Sequence, residues 1–104
     1  MSGRYNVYVI RLSEEVLKRK KFRDRNPGYL DGMPCVYVGM TSCSIEERFR
    51  QHRSGYKANG YARDYGRFLL PKRCLLGLDR ATAEKEEVRL AAYLRGQGWA
   101  VWQG

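Results

Sequence analysis

Three side chains able to do chemistry lie in one segment of the chain, from Cys35 to His52, which reads CVYVGMTSCSIEERFRQH. Tyr37 carries a phenol, Arg48 a guanidinium and His52 an imidazole. Together these groups can activate a nucleophile, hold a phosphate and move a proton. The same residue types also occur as a core tyrosine, a solvated arginine and a surface histidine. Whether they form a site therefore depends on whether the fold brings them together.

The elements around these residues indicate where the side chains lie. Val36–Val38 is β-branched and aromatic, which is typical of a strand, and we expect Gly39 to end it. Ser44 and Glu47 have the spacing of a capping box, in which each side chain satisfies a backbone N–H of the other residue. A helix should therefore begin at Ile45.

Arg48 and His52 are four residues apart in this predicted helix and are therefore neighbours on its surface. Ile45, Phe49 and His52 fall on one side of it. We therefore expect Tyr37 on the strand and the Arg48 and His52 side chains on the helix to converge on one spot.

Glu87 is out of place on the last predicted helix, which Asp79 or Thr82 caps and which runs to about Arg95. At the helical period it lies in the middle of an apolar stripe formed by Ala83, Leu90, Ala91 and Leu94. A carboxylate is rarely buried unless it is paired, hydrogen-bonded or bound to a metal. Arg48 or a divalent cation would resolve the conflict, and so would a slight helix rotation that keeps Glu87 at the rim.

Further apolar runs predict the rest of the sheet. Val7–Leu12, which contains Tyr8, reads as the first strand. Phe68–Leu70 and Cys74–Leu78, on either side of a proline-containing bend, supply the third. Trp99–Trp102 reads as an extended apolar segment that packs back on the sheet.

Composition limits the class of partner. The 104 residues suit one domain, with 20 Lys and Arg against 11 acidic residues and a formal charge of +9. Such a charge indicates a polyanionic partner, nucleic acid before a membrane surface. There is no apolar run of membrane-spanning length and no signal-peptide pattern, so we expect no membrane partner and an intracellular, cytoplasmic protein.

Three cysteines, Cys35, Cys43 and Cys74, show no paired C-x-x-C spacing. An odd, scattered set indicates neither a disulfide framework nor a zinc knuckle. A zinc site of these three residues with His52 is conceivable by ligand count alone.

The most basic part of the chain is an insertion at about residues 13–34. We expect Ser13 to cap a short helix through about Lys20, and Phe22–Pro34, rich in turn formers, to be an ordered loop with no regular element. Its cations are either solvated surface or a phosphate-contacting arm.

A second basic stretch, residues 53–67, interleaves three tyrosines with cations and glycines. This composition suits base stacking and phosphate contact, and it equally suits tyrosines packed under a loop. The nucleic-acid-binding candidates of the chain are Lys18, Lys20, Lys21, Arg23, Arg25, Arg50, Arg53, Lys57 and Arg63.

The order of these features resembles the GIY-YIG nuclease superfamily over nearly the whole chain. Asn6-Val7-Tyr8 stands where the family has Gly-Ile-Tyr, and Tyr37-Val38-Gly39 where it has Tyr-Ile-Gly. Arg48 and His52 match the Arg-x-x-x-His of its helix, and Glu87 its later glutamate. The chain departs from the family in the glycine replaced by Asn6, in the insertion between the tyrosine motifs, and in the late asparagine, for which Gln103 is the nearest candidate.

The resemblance implies an α+β domain, 1–104, with a small three-stranded antiparallel sheet flanked by helices. It also implies metal-dependent hydrolysis of phosphodiester bonds in nucleic acid. We expect DNA before RNA as the substrate, and a monomer or homodimer. Glu87 would hold one Mg²⁺ or Mn²⁺ and Arg48 would clamp the phosphate. Tyr8 resembles the general base, Tyr37 would orient the water or phosphate, and His52 would relay the proton or position Tyr8.

The alternative is a binding module that holds nucleic acid on the same scaffold without cutting it. A ribosome-type or scaffold protein is a third class. A carboxylate in a basic face, with Tyr8, Tyr37, Arg48 and His52 beside it, favours the enzyme, because a protein that only bound phosphate would not need Glu87.

Overall fold

Two long strands pair antiparallel at the centre of the sheet in the computed structural model, which describes residues 3–104. Strand β1 spans Tyr5–Leu12 and β2 spans Cys35–Thr41. In their register Tyr8 lies opposite Gly39. The expectation that Gly39 ends the second strand is therefore wrong, since the strand continues for two more residues.

Three short strands complete a five-stranded mixed sheet. Strands β3 (Gly66–Leu69) and β4 (Leu75–Leu78) both pair antiparallel with β1, and a 3₁₀ turn at Pro71–Arg73 separates them. Strand β5 (Ala100–Gln103) pairs parallel with β2 at the other edge. The predicted α+β class is confirmed, but the three-stranded antiparallel sheet is not matched.

The number of strands differs from the prediction for two physical reasons. The bend that begins at Pro71 splits the predicted third strand in two, because proline cannot donate to a ladder. The segment predicted to pack on the sheet is instead a strand within it. Its direction and partner depend on the chain that precedes it, which local composition does not reveal.

Alternation along the strands divides the core between the two faces of the sheet. One face carries Tyr8, Ile10 and Leu12 and packs against residues of the insertion and of the segment after β2. The other carries Val7 and Val9 and packs against the helix before β5. We call them the aromatic face and the valine face.

Helix α2 begins where the capping box predicts. It spans Ile45–Ser54, and the Ser44 hydroxyl accepts the backbone N–H of Glu47 at 3.1 Å. The helix ends at Gly55, whose φ of 88° is left-handed.

Helix α4 spans Arg80–Gly96 and covers the valine face. The Asp79 carboxylate accepts the backbone N–H of Thr82 at 2.7 Å, so Asp79 is the cap. No helix formed by residues 3–104 combines the length and the apolar character needed to cross a membrane.

The basic insertion, residues 13–34, is folded onto the aromatic face. It contains a 3₁₀ turn at Glu14–Lys18 and helix α1 at Lys20–Asp24. The expectation that Phe22–Pro34 holds no regular element is wrong at its start, because Phe22 is fully buried inside α1 and its packing holds that turn in place.

The side chain of Asn26 attaches the insertion to the outer edge of β5. Its Oδ1 accepts the Val101 N–H at 2.7 Å, and its Nδ2 donates to the Val101 carbonyl at 3.1 Å. The Arg95 guanidinium donates to the same carbonyl at 2.9 Å. Both backbone groups of Val101 that point away from β2 are therefore satisfied by side chains.

The tyrosine-rich segment contains one more helix, α3 (Gly60–Tyr65). The Asn59 Oδ1 caps it by accepting the Tyr61 N–H at 2.8 Å. Ala62 is buried against the aromatic face, whereas Tyr61 and Tyr65 are half-buried.

Candidate active site

Three of the predicted residues form a buried cluster on the aromatic face. The Tyr8 hydroxyl is hydrogen-bonded to His52 Nε2 at 2.8 Å. The Tyr37 ring lies 6.0 Å from the Tyr8 ring and 5.3 Å from the His52 ring, measured between centroids. Tyr8 is 1%, Tyr37 5% and His52 0% exposed. One residue each from β1, β2 and α2 thus meets at one spot, and we call them the ring cluster.

The backbone of Gly39 makes room for this cluster. A Cβ added at Gly39 would lie 2.6 Å from the Tyr8 hydroxyl oxygen and 2.7 Å from its Cζ. The Tyr8 ring therefore lies directly on the backbone of β2. Glycine is needed at this position for close approach, not to end the strand.

Burial sets the protonation states of the ring cluster. It lowers the pKa of His52 to about 4, with a further contribution from the Arg48 guanidinium. It also raises the pKa of Tyr8 and of Tyr37, while Arg48 opposes both rises. At neutral pH the imidazole is therefore uncharged and both phenols keep their protons.

His52 Nδ1 is the one buried side-chain nitrogen or oxygen of residues 3–104 without a hydrogen-bond partner. Buried polar atoms are nearly always paired, because an unpaired one loses its hydration without compensation. This histidine is therefore costly to bury, which is more typical of a functional residue than of a core-filling one.

The loop after α2 holds Arg48 in place. The guanidinium donates to Gln51 Oε1 at 2.9 Å and to the carbonyls of Tyr56 and Lys57 at 3.3 and 2.9 Å. Lys57 has a φ of 45°, and this left-handed conformation belongs to the turn that brings the carbonyls to Arg48. These bonds use three of the five guanidinium N–H groups. A side-chain hydrogen bond from Arg48 also opposes the rise in the pKa of Tyr8, so the guanidinium faces the ring cluster.

Glu87 is buried, as its place in the apolar stripe predicts. It is 7% exposed, and its Oε1 accepts a hydrogen bond from Gln103 Nε2 at 2.9 Å. Burial raises the pKa of the carboxyl group, and the Gln103 hydrogen bond opposes the rise. Arg48 was one of the two partners expected for Glu87, the other being a divalent cation, but no ion pair of residues 3–104 joins Glu87 to Arg48.

Glu87 and the ring cluster lie on opposite faces of the sheet. Glu87 projects from α4 on the valine face, and Gln103, its partner, lies opposite Val38 in the β5–β2 register. The Glu87 charge nevertheless contributes to the raised pKa of Tyr37, after burial and against the pull of Arg48. The Glu87 charge therefore reaches the Tyr37 hydroxyl, although the two side chains lie on opposite faces of the sheet.

The donor set at Glu87 is one carboxylate and one amide. Oxygen donors of this kind suit Mg²⁺ or Mn²⁺, which keep several waters and use one or two carboxylates with substrate phosphate. Within residues 3–104 no group of three or more His, Cys, Asp or Glu side chains could hold a metal. The structure of residues 3–104 gives no such group at the three cysteines and His52.

All nine predicted nucleic-acid-binding residues are exposed. Four of them form ion pairs along their own elements, namely Lys18 with Glu15, Lys20 with Asp24, Arg50 with Glu47 and Arg63 with Asp64. The others, for which the structure of residues 3–104 gives no ion pair, are Lys21, Arg23, Arg25, Arg53 and Lys57.

Asn6, which replaces the family's first glycine, has a structural role at the start of β1. Its Nδ2 donates to the Cys43 carbonyl at 2.8 Å, and its Oδ1 accepts the Gly77 N–H at 3.0 Å. It therefore ties the turn before α2 to strand β4. The polarity of the side chain was a signal for such a role, although its partners are distant in the chain.

Gly104 is a site residue that sequence reasoning missed. Its N–H donates to the Val38 carbonyl at 2.8 Å, and a Cβ at this position would collide with the Tyr37 hydroxyl. Gly104 therefore covers that hydroxyl. No local signal indicates this contact, because it depends on the parallel pairing of β5 with β2.

Comparison of the chain with protein-family models, with curated proteins and with solved structures gives no match. Its function must therefore be inferred from the residues themselves.

Proposed function

We propose that the protein is an endonuclease that hydrolyses phosphodiester bonds in nucleic acid with one divalent cation, Mg²⁺ or Mn²⁺. The observation that carries the proposal is the 2.8 Å hydrogen bond between the Tyr8 hydroxyl and His52 Nε2, inside a ring cluster beside Arg48. A phenol, a neutral imidazole and a guanidinium at one place suit proton transfer next to a bound phosphate.

Tyr8 and His52 supply the path of the proton. With its own proton on Nδ1, the neutral imidazole accepts the Tyr8 O–H at Nε2. An attacking water gives a proton to the Tyr8 oxygen while Tyr8 gives its own to His52, which leaves the water oxygen free to attack phosphorus. The bond between phosphorus and the leaving oxygen then breaks, and that oxygen takes a proton from solvent. The negative phosphate raises the pKa of His52 when it binds, so the imidazole becomes a better acceptor in the complex.

Arg48 holds the phosphate. Its guanidinium donates to the non-bridging oxygens, and the carbonyls of Tyr56 and Lys57 keep the guanidinium in position. A donor fixed in this way stabilises the charge that develops on the phosphate in the transition state.

Glu87, with Gln103 beside it, would hold the cation. When bound, the metal supplies positive charge that stabilises the phosphate and the leaving oxygen. Burial raises the pKa of the Glu87 carboxyl group, so its ionised form gains from a nearby cation. Gly104 covers the Tyr37 hydroxyl, so its displacement would open the ring cluster to water.

The substrate is nucleic acid, DNA before RNA. The support is the net charge of +9 and the exposed cations of the insertion, together with the resemblance to GIY-YIG nucleases. A monomer has one such site and would nick one strand, whereas a homodimer would carry two.

The test is incubation of supercoiled plasmid with purified protein in Mg²⁺, in Mn²⁺ and in EDTA. We expect nicked product from the wild type with either metal and none with EDTA. Glu87→Gln, which keeps volume and hydrogen bonding, and Tyr8→Phe should each lower the rate by about 100-fold or more.

Matched controls for these variants come from exposed positions of α4. Glu84→Gln removes a carboxylate one turn earlier, and Tyr93→Phe removes an exposed hydroxyl. Both should cut at the wild-type rate. No product in any lane, with binding retained in a gel shift, would contradict the nuclease and favour the binding module.

A further inference from the structure

A cavity of about 340 Å³ lies beside the ring cluster, on the same face of the sheet. Its aromatic lining consists of Tyr61, Tyr65 and Trp102. Trp102 lies opposite Tyr37 in the β5–β2 register, and paired strands run about 4.8 Å apart. Asn59, which also lines the cavity, is two residues beyond Lys57, whose carbonyl holds Arg48. The cavity is therefore next to the proposed phosphate position.

Its aromatic lining is fixed before any ligand binds. The Tyr61 and Trp102 ring centroids are 4.6 Å apart. Phe22 stacks near the indole at 6.3 Å, and the Arg25 guanidinium lies 5.0 Å from the indole centroid. Neither Phe22 nor Arg25 lines the cavity. Contacts outside the cavity therefore hold the Trp102 ring in position.

The rim of the cavity is positive. Arg19 and Lys21 of the insertion line it, and both are exposed and outside the ion pairs of residues 3–104. The one carboxylate there, Asp64, is bound by Arg63 at 2.9 Å. An anion at this rim would therefore meet two cations without a competing free carboxylate.

Aromatic side chains with adjacent cations are the arrangement that binds single-stranded nucleic acid, because a base stacks on the rings while its phosphate meets the charges. A base inside a duplex offers only its edges, so it must leave the stack to enter such a cavity. A cavity of this volume is within the range that accepts a small planar ligand.

We propose that this cavity binds an unpaired nucleobase next to the phosphate held by Arg48. The substrate class is then single-stranded or locally unpaired nucleic acid, in preference to continuous duplex. This inference rests on the proposed nuclease function, because that function assigns the phosphate to Arg48. Binding of the base can nevertheless be measured without cleavage.

The experiment uses the two tryptophans of the chain, Trp99 and Trp102. In Trp99→Phe, Trp102 is the sole tryptophan and reports on the cavity. In Trp102→Phe, Trp99 is the sole tryptophan and reports on a separate groove that it lines with Leu70 and Arg73. Both proteins are titrated in EDTA, so that no cleavage occurs.

The probes are oligothymidylate, oligouridylate, an abasic strand of equal length and a continuous duplex. We expect oligothymidylate or oligouridylate to quench Trp102 fluorescence, and the abasic strand, with equal charge, not to quench it. Trp99 should be unaffected. Stronger quenching by oligothymidylate would identify DNA as the source of the base, and stronger quenching by oligouridylate would identify RNA. Equal effects of abasic and base-bearing strands, or no quenching while a gel shift persists, would overturn the cavity assignment.

A substitution in the lining provides the second measurement. Tyr61→Leu should weaken binding of oligothymidylate roughly ten-fold and leave binding of the abasic strand unchanged. Tyr93→Leu, at an exposed tyrosine of α4, is the matched control and should change neither. Equal losses for both strands in Tyr61→Leu would contradict base binding.

The two experiments distinguish failure of the cavity proposal from failure of the nuclease proposal. Base-dependent quenching without plasmid cleavage would contradict the proposed enzyme and leave a base-binding cavity. Plasmid cleavage without base-dependent quenching would support the enzyme and overturn the substrate class.

Discussion

His52 links the chemistry of the ring cluster to the stability of the fold. Burial holds its pKa near 4, against 6.5 for the unperturbed residue. The unfolded chain therefore binds the proton more readily than the folded protein does, and between these pH values stability rises with pH. The contribution of His52 is complete above about pH 6.5 and is lost as the pH falls toward 4.

We expect acidification from about pH 7 to about pH 4 to cost about 3 kcal/mol of unfolding free energy through His52 alone. Urea unfolding at several pH values measures it. The control is His52→Gln, which cannot titrate and should lose less stability. The raised pKa of the Glu87 carboxyl group makes its contribution to stability grow as the pH falls. This contribution is the same in the wild type and in His52→Gln, so it does not affect the comparison. Equal losses in the two proteins would contradict a neutral buried His52.

The site residues were predictable from the sequence to different degrees. Tyr37 and His52 converge as strand alternation and helical spacing predict, because these are local rules. Tyr8, a candidate through the resemblance alone, lies beside them. Glu87 is buried as its place in the apolar stripe predicts, but its partner is Gln103 and not Arg48. That partner comes from β5, whose pairing no local pattern indicates.

At the scale of elements, the β1–β2 pair positions the ring cluster through one close approach. Gly39→Ala would place a methyl group 2.6 Å from the Tyr8 hydroxyl oxygen, so the ring must move off the strand. We expect a loss of about 1–3 kcal/mol in the free energy of unfolding, together with slower plasmid cleavage.

The matched control for this substitution is Gly28→Ala in the insertion. A Cβ there meets no atom within 4 Å, so stability and cleavage should stay close to the wild type. Denaturant unfolding and the plasmid assay measure both variants. If Gly39→Ala were as stable and as active as Gly28→Ala, the contact between Tyr8 and the β2 backbone would not position the site.

The elements that sequence reasoning predicted well are those with local stop and start signals. Ser44 caps α2 and Asp79 caps α4, because each side chain accepts a backbone N–H three residues later. Gly39 was misinterpreted because glycine marks turns more often than close packing. The turn formers of the insertion hid helix α1, because the stabilising contact of Phe22 is with the sheet and is not local.

At the scale of the whole molecule, charge is distributed between the two faces of the sheet. The insertion lies on the aromatic face with the ring cluster, whereas Lys72 and Arg73 flank the valine face beside Trp99. If nucleic acid binds over the ring cluster, removing cations from the aromatic face should weaken binding more than removing equal charge from the valine face.

We therefore expect Lys21→Ala with Arg23→Ala to weaken binding of an oligonucleotide several-fold and to reduce the salt dependence of its Kd. The control, Lys72→Ala with Arg73→Ala, lowers the net charge equally. Fluorescence anisotropy at several salt concentrations measures both. Equal effects of the two pairs would indicate that net charge alone governs binding, without a defined binding face.

The contact of Asn26 with Val101 also affects how copies of the protein behave toward one another. An uncovered edge strand is a template onto which another chain can add a strand. Because one amide and the Arg95 guanidinium occupy both outward groups of Val101, β5 offers no continuous ladder at that point. The insertion that carries cations to the aromatic face thus also covers part of the β5 edge, where another chain could otherwise add a strand.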